Sequence, residues 1–233
     1  MPDVDAAPQS RATAYTTLAV GQDVRTELEI KRSRFLTVLR RTDSEAAARA
    51  LVTELRREFH DARHHCSAFV LGPDRDVQRS NDDGEPSGTA GLPMLEALTR
   101  RETGAGTADL SDITAVVVRY FGGILLGAGG LVRAYSESVS SALDAAPLVR
   151  RSRLRICSVE VPHAQAGRLE NELRSAGYVM AATGYGGHST VLRLALPDSA
   201  DSISEAASRL LSLTAGTAVL TPEGTEWVDV RIS

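Results

Sequence analysis

Three short segments of this chain gather residue types that can do chemistry. The first, DARHHCSAF at residues 61–69, places Arg63, His64 and His65 at the start of a strand. Neighbours on an extended segment point to opposite faces, so the two histidines cannot hold one metal ion without a bend. Zinc would also need further ligands at a regular spacing. The segment is therefore read as one histidine packed beside a groove, with Arg63, His64 and His65 offered to phosphate or a base, and no metal is expected. The second segment is SNDDGEPSGTAG at residues 80–91. Asp82, Asp83 and Glu85 lack the alternating order of a calcium loop and are read as the groove rim or a contact for a cation. Ser87 and Thr89 bring hydroxyls that can meet phosphate or cap the following helix. The third is RYFGGILLGAGGLVRAY at residues 119–135. A strand carrying Arg119 and Tyr120 runs into a loop with Gly122, Gly123, Gly127, Gly129 and Gly130, and then into a helix carrying Arg133. Free amides and partial positive charge at a helix start attract phosphate, and glycine lets it approach. The spacing is neither the dinucleotide-binding G-x-G-x-x-G nor a P-loop, which needs lysine.

These segments need a scaffold. Residues 24–40 read as two short strands joined at 31–34. Thr42 and Glu45 stand at capping-box spacing, ahead of a helix to about residue 60 with Ala47, Leu51, Leu55 and Phe59 along one face. A strand is expected at 66–71, a turn at 72–74, a helix at 92–101 and a flexible Gly/Ala/Thr-rich connection at 103–109. The β-branched run ITAVVVRY predicts a central strand buried on both faces. A helix follows the glycine loop to about residue 145, with Leu131, Tyr135, Val139 and Ala142 on one side. Arg150, Arg151, Arg153 and Arg155 read as a basic linker that extends the groove. Beyond it, strand 154–161, helix 164–176, strands 178–184 and 190–196, helix 201–213 and strand 217–221 give a ferredoxin-like β-α-β-β-α-β order. Trp227 is placed on a possible further edge strand. The expectation is an α+β chain: a disordered tail over 1–20, a first domain over 21–148 and a second over 149–233.

Composition sets outer bounds. The 233 residues are 42% hydrophobic and 24% charged, enough to bury two cores, with only 4% aromatic residues. No apolar run approaches the roughly 20 residues that cross a bilayer, and no secretory signal is seen at the N-terminus, so a cytoplasmic protein without a membrane partner is expected. Cys66 and Cys157 fall in different expected domains and are read as buried thiols. A net charge of −4 argues against a chain coated in positive charge, though not against a local basic groove. Lys31 is the only lysine beside many arginines, a bias read first as the mark of a GC-rich genome; it is compatible with phosphate recognition but poor evidence for it.

SNDDGEPSGTAG and RYFGGILLGAGGLVRAYSES, with KRSRF at 31–35 and ARHHCSAF at 62–69, closely resemble the signature of the YigZ/IMPACT family over residues 24–145. Ser67 stands where that family leads one to expect an aromatic residue. The resemblance implies a first domain with the βαβ fold shared by ribosomal small-subunit proteins, elongation factor G domain IV and several sugar-phosphate kinases. It implies a second domain like the ferredoxin-like domain V of the same factor. It also implies a link to translation under stress, so the partner expected is RNA, the ribosome or a translation-associated protein, with no cofactor. The alternative is an enzyme acting on a phosphorylated small molecule or nucleotide, with Asp82 or Asp83 as general base. Against it, the sequence offers no complete nucleophile–base pair and no kinase lysine.

Overall fold

The computed structural model describes residues 10–21, 23–104 and 106–230. The described residues divide into two compact units, one up to residue 150 and one from residue 151, and the secondary structure is mixed α and β with two largely antiparallel sheets.

In the first unit the strands are β1 (Ala14–Leu18), β2 (Val24–Ile30), β3 (Ser33–Arg41), β4 (His64–Leu71), β5 (Val77–Asn81) and β6 (Ile113–Tyr120), with helices α1 (Glu45–Glu58), α2 (Gly91–Thr99) and α3 (Ala128–Asp144). The sheet order is β2-β3-β6-β4-β5. β6 is central, antiparallel to β3 and to β4, and all but its last residue is buried. Its β-branched residues meet the requirement of a strand covered on both faces. Period-2 alternation sends Val116 and Val118 to α1, where they pack with Val38, Leu51 and Leu55. It sends Ala115 and Val117 to the other face, where α2 and α3 supply Met94, Leu98, Leu131, Tyr135 and Val139.

Several local expectations change. Residues 14–18 form a buried strand rather than a disordered tail: a parallel bridge joins Thr16 to Leu110 and the Tyr15 hydroxyl donates to the Asp112 carboxylate. Residues 1–9 of that expected tail lie outside the described residues. Ser44, not Thr42, caps α1, accepting from the Ala47 N–H at 3.3 Å. Thr42 is turned inward against the Thr114 hydroxyl at 2.7 Å, which shifts the buried stripe of α1 to Ala48, Leu51 and Leu55. The 103–109 connection closes on itself through the Thr103 N–H donating to the Thr107 carbonyl at 2.9 Å.

The second unit contains most of β7 (Leu148–Pro162), then α4 (His163–Ser175), β8 (Val179–Tyr185), β9 (Ser189–Leu196), α5 (Ala200–Leu213) and β10 (Thr221–Val230). β7, β9 and β8 pair in that order, and β7 also pairs with β10 and with β1. Leu169 and Leu173 of α4 and Ala206 and Leu210 of α5 share one core with Cys157, Val159, Leu192 and Leu194. The last strand starts later than the sequence pattern suggests and contains Trp227. Residues 214–217 are taken up by the end of α5, where the Gly216 N–H reaches back to Leu211 and that of Thr217 to Thr214. The arginines at 150–155 are not a linker but part of β7. Arg150 lies 3.5 Å from Asp109, Arg151 3.5 Å from Asp229 and Arg155 2.8 Å from Asp198, so most of their charge is already answered within the chain.

Candidate functional site

Strand alternation sorts the sequence-derived residues onto two faces. On adjacent strands His64 pairs with Arg119, and Arg119 with Phe35, so these three stand in one row beneath α3. His65 and Tyr120 fall on the opposite, α1 face, which removes them from the expected groove. His65 is buried, with its Nε2 3.2 Å from the Phe59 carbonyl. Burial pushes its pKa below the usual imidazole value, against the opposing pull of Asp83. The Tyr120 hydroxyl donates to Asp61 at 2.7 Å and its ring lies under Arg34.

The acidic loop is committed to structure. Asp82 is the cap of α2: one carboxylate oxygen accepts from the Ala90 and Gly91 amides at 3.0 and 2.8 Å, the other from Gly88 at 2.8 Å. Burial raises the Asp82 pKa, but these bonds outweigh it and hold the group below the ordinary carboxylate value. Ser87 is exposed, and Thr89 turns its hydroxyl to the Pro86 carbonyl at 2.6 Å, so neither expected hydroxyl caps the helix. Asp83 accepts from the His65 amide at 2.6 Å and pairs with Arg56. Two of the three carboxylates expected on the groove rim, Asp82 and Asp83, are therefore held elsewhere. Glu85 is the exception. It is 8% exposed and its Oε1 accepts from Arg119 Nη1 at 2.6 Å and from the Tyr135 hydroxyl at 2.8 Å. Arg119, 7% exposed, is clamped between the Phe35 and Phe121 rings at 5.4 and 5.8 Å. It is thus a neutralised buried cation and not the free phosphate grip that its sequence position suggests. Beneath it the buried Cys66 thiol, its pKa raised to about 12 by burial, completes an inert polar floor.

The glycine loop closes over this row. A Cβ on Gly122 would lie 2.0 Å from the Arg32 carbonyl carbon, so glycine alone permits that approach. The Gly122 N–H donates to the Ser33 hydroxyl at 3.2 Å. The contact sets the exposed Lys31 and Arg32, a turn with φ of 48° and 65°, beside the loop. Gly127, at φ 71°, precedes α3, and its carbonyl takes the first helical bond from Leu131 at 2.9 Å. The amides of Ala128, Gly129 and Gly130 precede that bond and are free of intrahelical partners. Gly123 shapes the loop at φ 83°. Between loop, row and helix lies a cavity of about 360 Å³ lined by Arg63, His64, Glu85, Arg119, Phe121 and the 125–128 turn, among others. Arg63 is exposed and has no ion-pair partner among the described residues. Arg133 faces outward from α3 and takes no part in the lining. Phe121 and Leu125, 52% and 82% exposed, form an apolar lip that the sequence reading passed over. The signal was present: FGGILL holds four large apolar residues inside a loop, where a simple connection needs none.

Among the described residues no group of three or more His, Cys, Asp or Glu side chains is placed to hold a metal ion, and no helix is long and apolar enough to cross a membrane. The Impact N-terminal domain matches residues 31–143, and a domain of unknown function, DUF1949, matches residues 159–217. The IMPACT family member YigZ of Escherichia coli K12 is 42% identical over 190 residues, covering 81% of this chain and 88% of its own length. This chain belongs to the IMPACT family. The family member YvyE of Bacillus subtilis 168 is 44% identical over 154 residues, 66% of this chain and 68% of its own. A solved structure described only as a hypothetical protein shares 38% identity and a TM-score of 0.56 over 90% of this chain and 97% of that one. The Impact N-terminal match contains the whole cavity.

Proposed function

We propose that the first unit binds single-stranded RNA, free or displayed on the ribosome, across the lip of the cavity, in a role linked to translation. The observation that carries this reading is the joining of an unpaired arginine, a glycine-opened helix start and an exposed aromatic ring around one cavity. Arg63 and the α3 amides offer charge and donors to phosphate. Phe121 offers a face on which a base stacks, held from below by Arg119. Aromatic stacking beside a basic track is how sequence-tolerant single-strand binders work. What supports the family's fold in this reading is that β3 and β4 flank β6 parallel to each other, with α1 crossing between them, and that β10 and β9 both pair with β7, with β8 beyond β9. The enzyme alternative loses its general base, because Asp82 and Asp83 are held by backbone amides and Arg56.

The test is the salt dependence of binding to a fluorescent single-stranded RNA octamer. Removing one phosphate contact lowers the slope of log affinity against log salt by about 0.7. Arg63→Ala is expected to do this, and Arg133→Ala to leave the slope unchanged. Equal slopes for wild type and Arg63→Ala contradict the proposal.

A further inference from the structure

The cavity has more inside it than a phosphate contact requires. Glu85 is buried, yet both of its hydrogen bonds end on Oε1, and Oε2 has no hydrogen-bond partner among the described residues. His64 directs Nδ1 to the Asp83 carbonyl at 2.9 Å. A carbonyl only accepts, so Nδ1 carries a proton, which leaves Nε2 as the ring nitrogen able to accept whenever it is unprotonated. Glu85 and His64 both line the cavity. Arg119, which lines it too, leaves its Nε without a partner although the side chain is 7% exposed. Thr37 and three other arginines leave a buried polar atom in the same state, so this donor is open to water as much as to a ligand. The other walls, Phe121, Leu125, Leu126 and Leu131, are apolar. One flat ring, Phe121, and two acceptor-bearing side chains on the lining suit a planar heterocycle that presents adjacent N–H donors.

We infer that the cavity is a nucleobase pocket selective for guanine, whose N1–H and exocyclic 2-amino group meet Glu85 Oε2 and His64 Nε2. The inference rests on the RNA-binding reading and adds selectivity to it. Uracil has one ring N–H and no amino group. Inosine keeps the ring N–H of guanosine and lacks only the amino group. The pocket therefore separates three ligands that carry the same backbone charge.

The experiment uses the full chain and three labelled RNA octamers at about 50 mM salt: octauridine, the same strand with one central guanosine, and the same strand with one central inosine. The guanosine strand is expected to bind about tenfold more tightly than octauridine, and the inosine strand to fall back to within about threefold of it, the size of effect one well-placed base contact gives. Equal affinity for the three, each still weakened by salt, overturns the guanine pocket and leaves the RNA reading standing. No binding of any strand overturns both. In Glu85→Gln, shown to be folded by its melting curve, the guanosine preference is expected to vanish, because the amide turns an N–H₂ toward the base where an acceptor stood. A preference that survives in this variant contradicts the assignment.

Discussion

At the scale of single residues, the ion pair between Glu85 and Arg119 governs the site. Neither group can lose its partner cheaply, because a charge with a side chain only 4–7% exposed is poorly solvated once unpaired. Glu85→Ala is expected to destabilise the first unit by about 3–5 kcal/mol, read as a shift in the urea unfolding midpoint at constant slope. A loss below about 1 kcal/mol would show that the pair is not buried as described. His65 makes a pH prediction. Its folded pKa lies below its unfolded value, so the unfolded chain binds the extra proton first and stability falls as pH drops below about 6.5. The fall levels off beneath the folded pKa. In His65→Gln this part of the acid sensitivity should be absent from melting curves taken between neutral and mildly acid pH. Residue chemistry was only half legible in the sequence. Alternation put His64 and His65 on opposite faces from the outset, but the same rule applied to Arg119 and Tyr120 would have separated them too. That Glu85 meets Arg119 and Tyr135 could not be read, because the contact exists only once β6 and α3 have packed together.

At the scale of elements, the glycine loop and the acidic loop are braces as much as binding surfaces. Gly122 lets β6 exit against the β2–β3 turn, and any side chain there strikes backbone that cannot move without unpairing β2 and β3. Gly122→Ala should cost at least about 3 kcal/mol, and a variant that melts like wild type would refute the close approach. Asp82→Ala strips three charge-assisted bonds from the start of α2 and is expected to cost about 2–4 kcal/mol, measured by thermal unfolding. Element positions followed the sequence where burial is two-sided or the period is long, as in β6 and α3. They failed where tertiary hydrogen bonds decide, as in β1, whose short AYTTL run has little pattern of its own and is held by Tyr15 on Asp112.

At the scale of the molecule, positive charge is unevenly available. The 26 basic residues are outnumbered by 30 acidic ones, so any attraction to RNA comes from where cations lack partners. The first unit leaves Lys31, Arg32 and Arg63 exposed near the glycine loop, whereas Arg151 and Arg155 of β7 are paired with Asp229 and Asp198. Arg155→Ala should leave RNA affinity within about twofold, and a larger drop would move the interface to the second unit. The β-α-β-β-α-β succession of the second unit was legible because the hydrophobic period changes at each element. The pairing of the β7 arginines was not, because the acids that answer them lie tens of residues away. The measurement closest to the central claim is ultraviolet crosslinking of the full chain to single-stranded RNA, followed by mass spectrometry of the tryptic peptides. Phe121 stacked on a base predicts adducts on the peptide of residues 120–133, bounded by cleavage after Arg119 and Arg133. Adducts confined to residues 151–230, with that peptide unmodified, would contradict it.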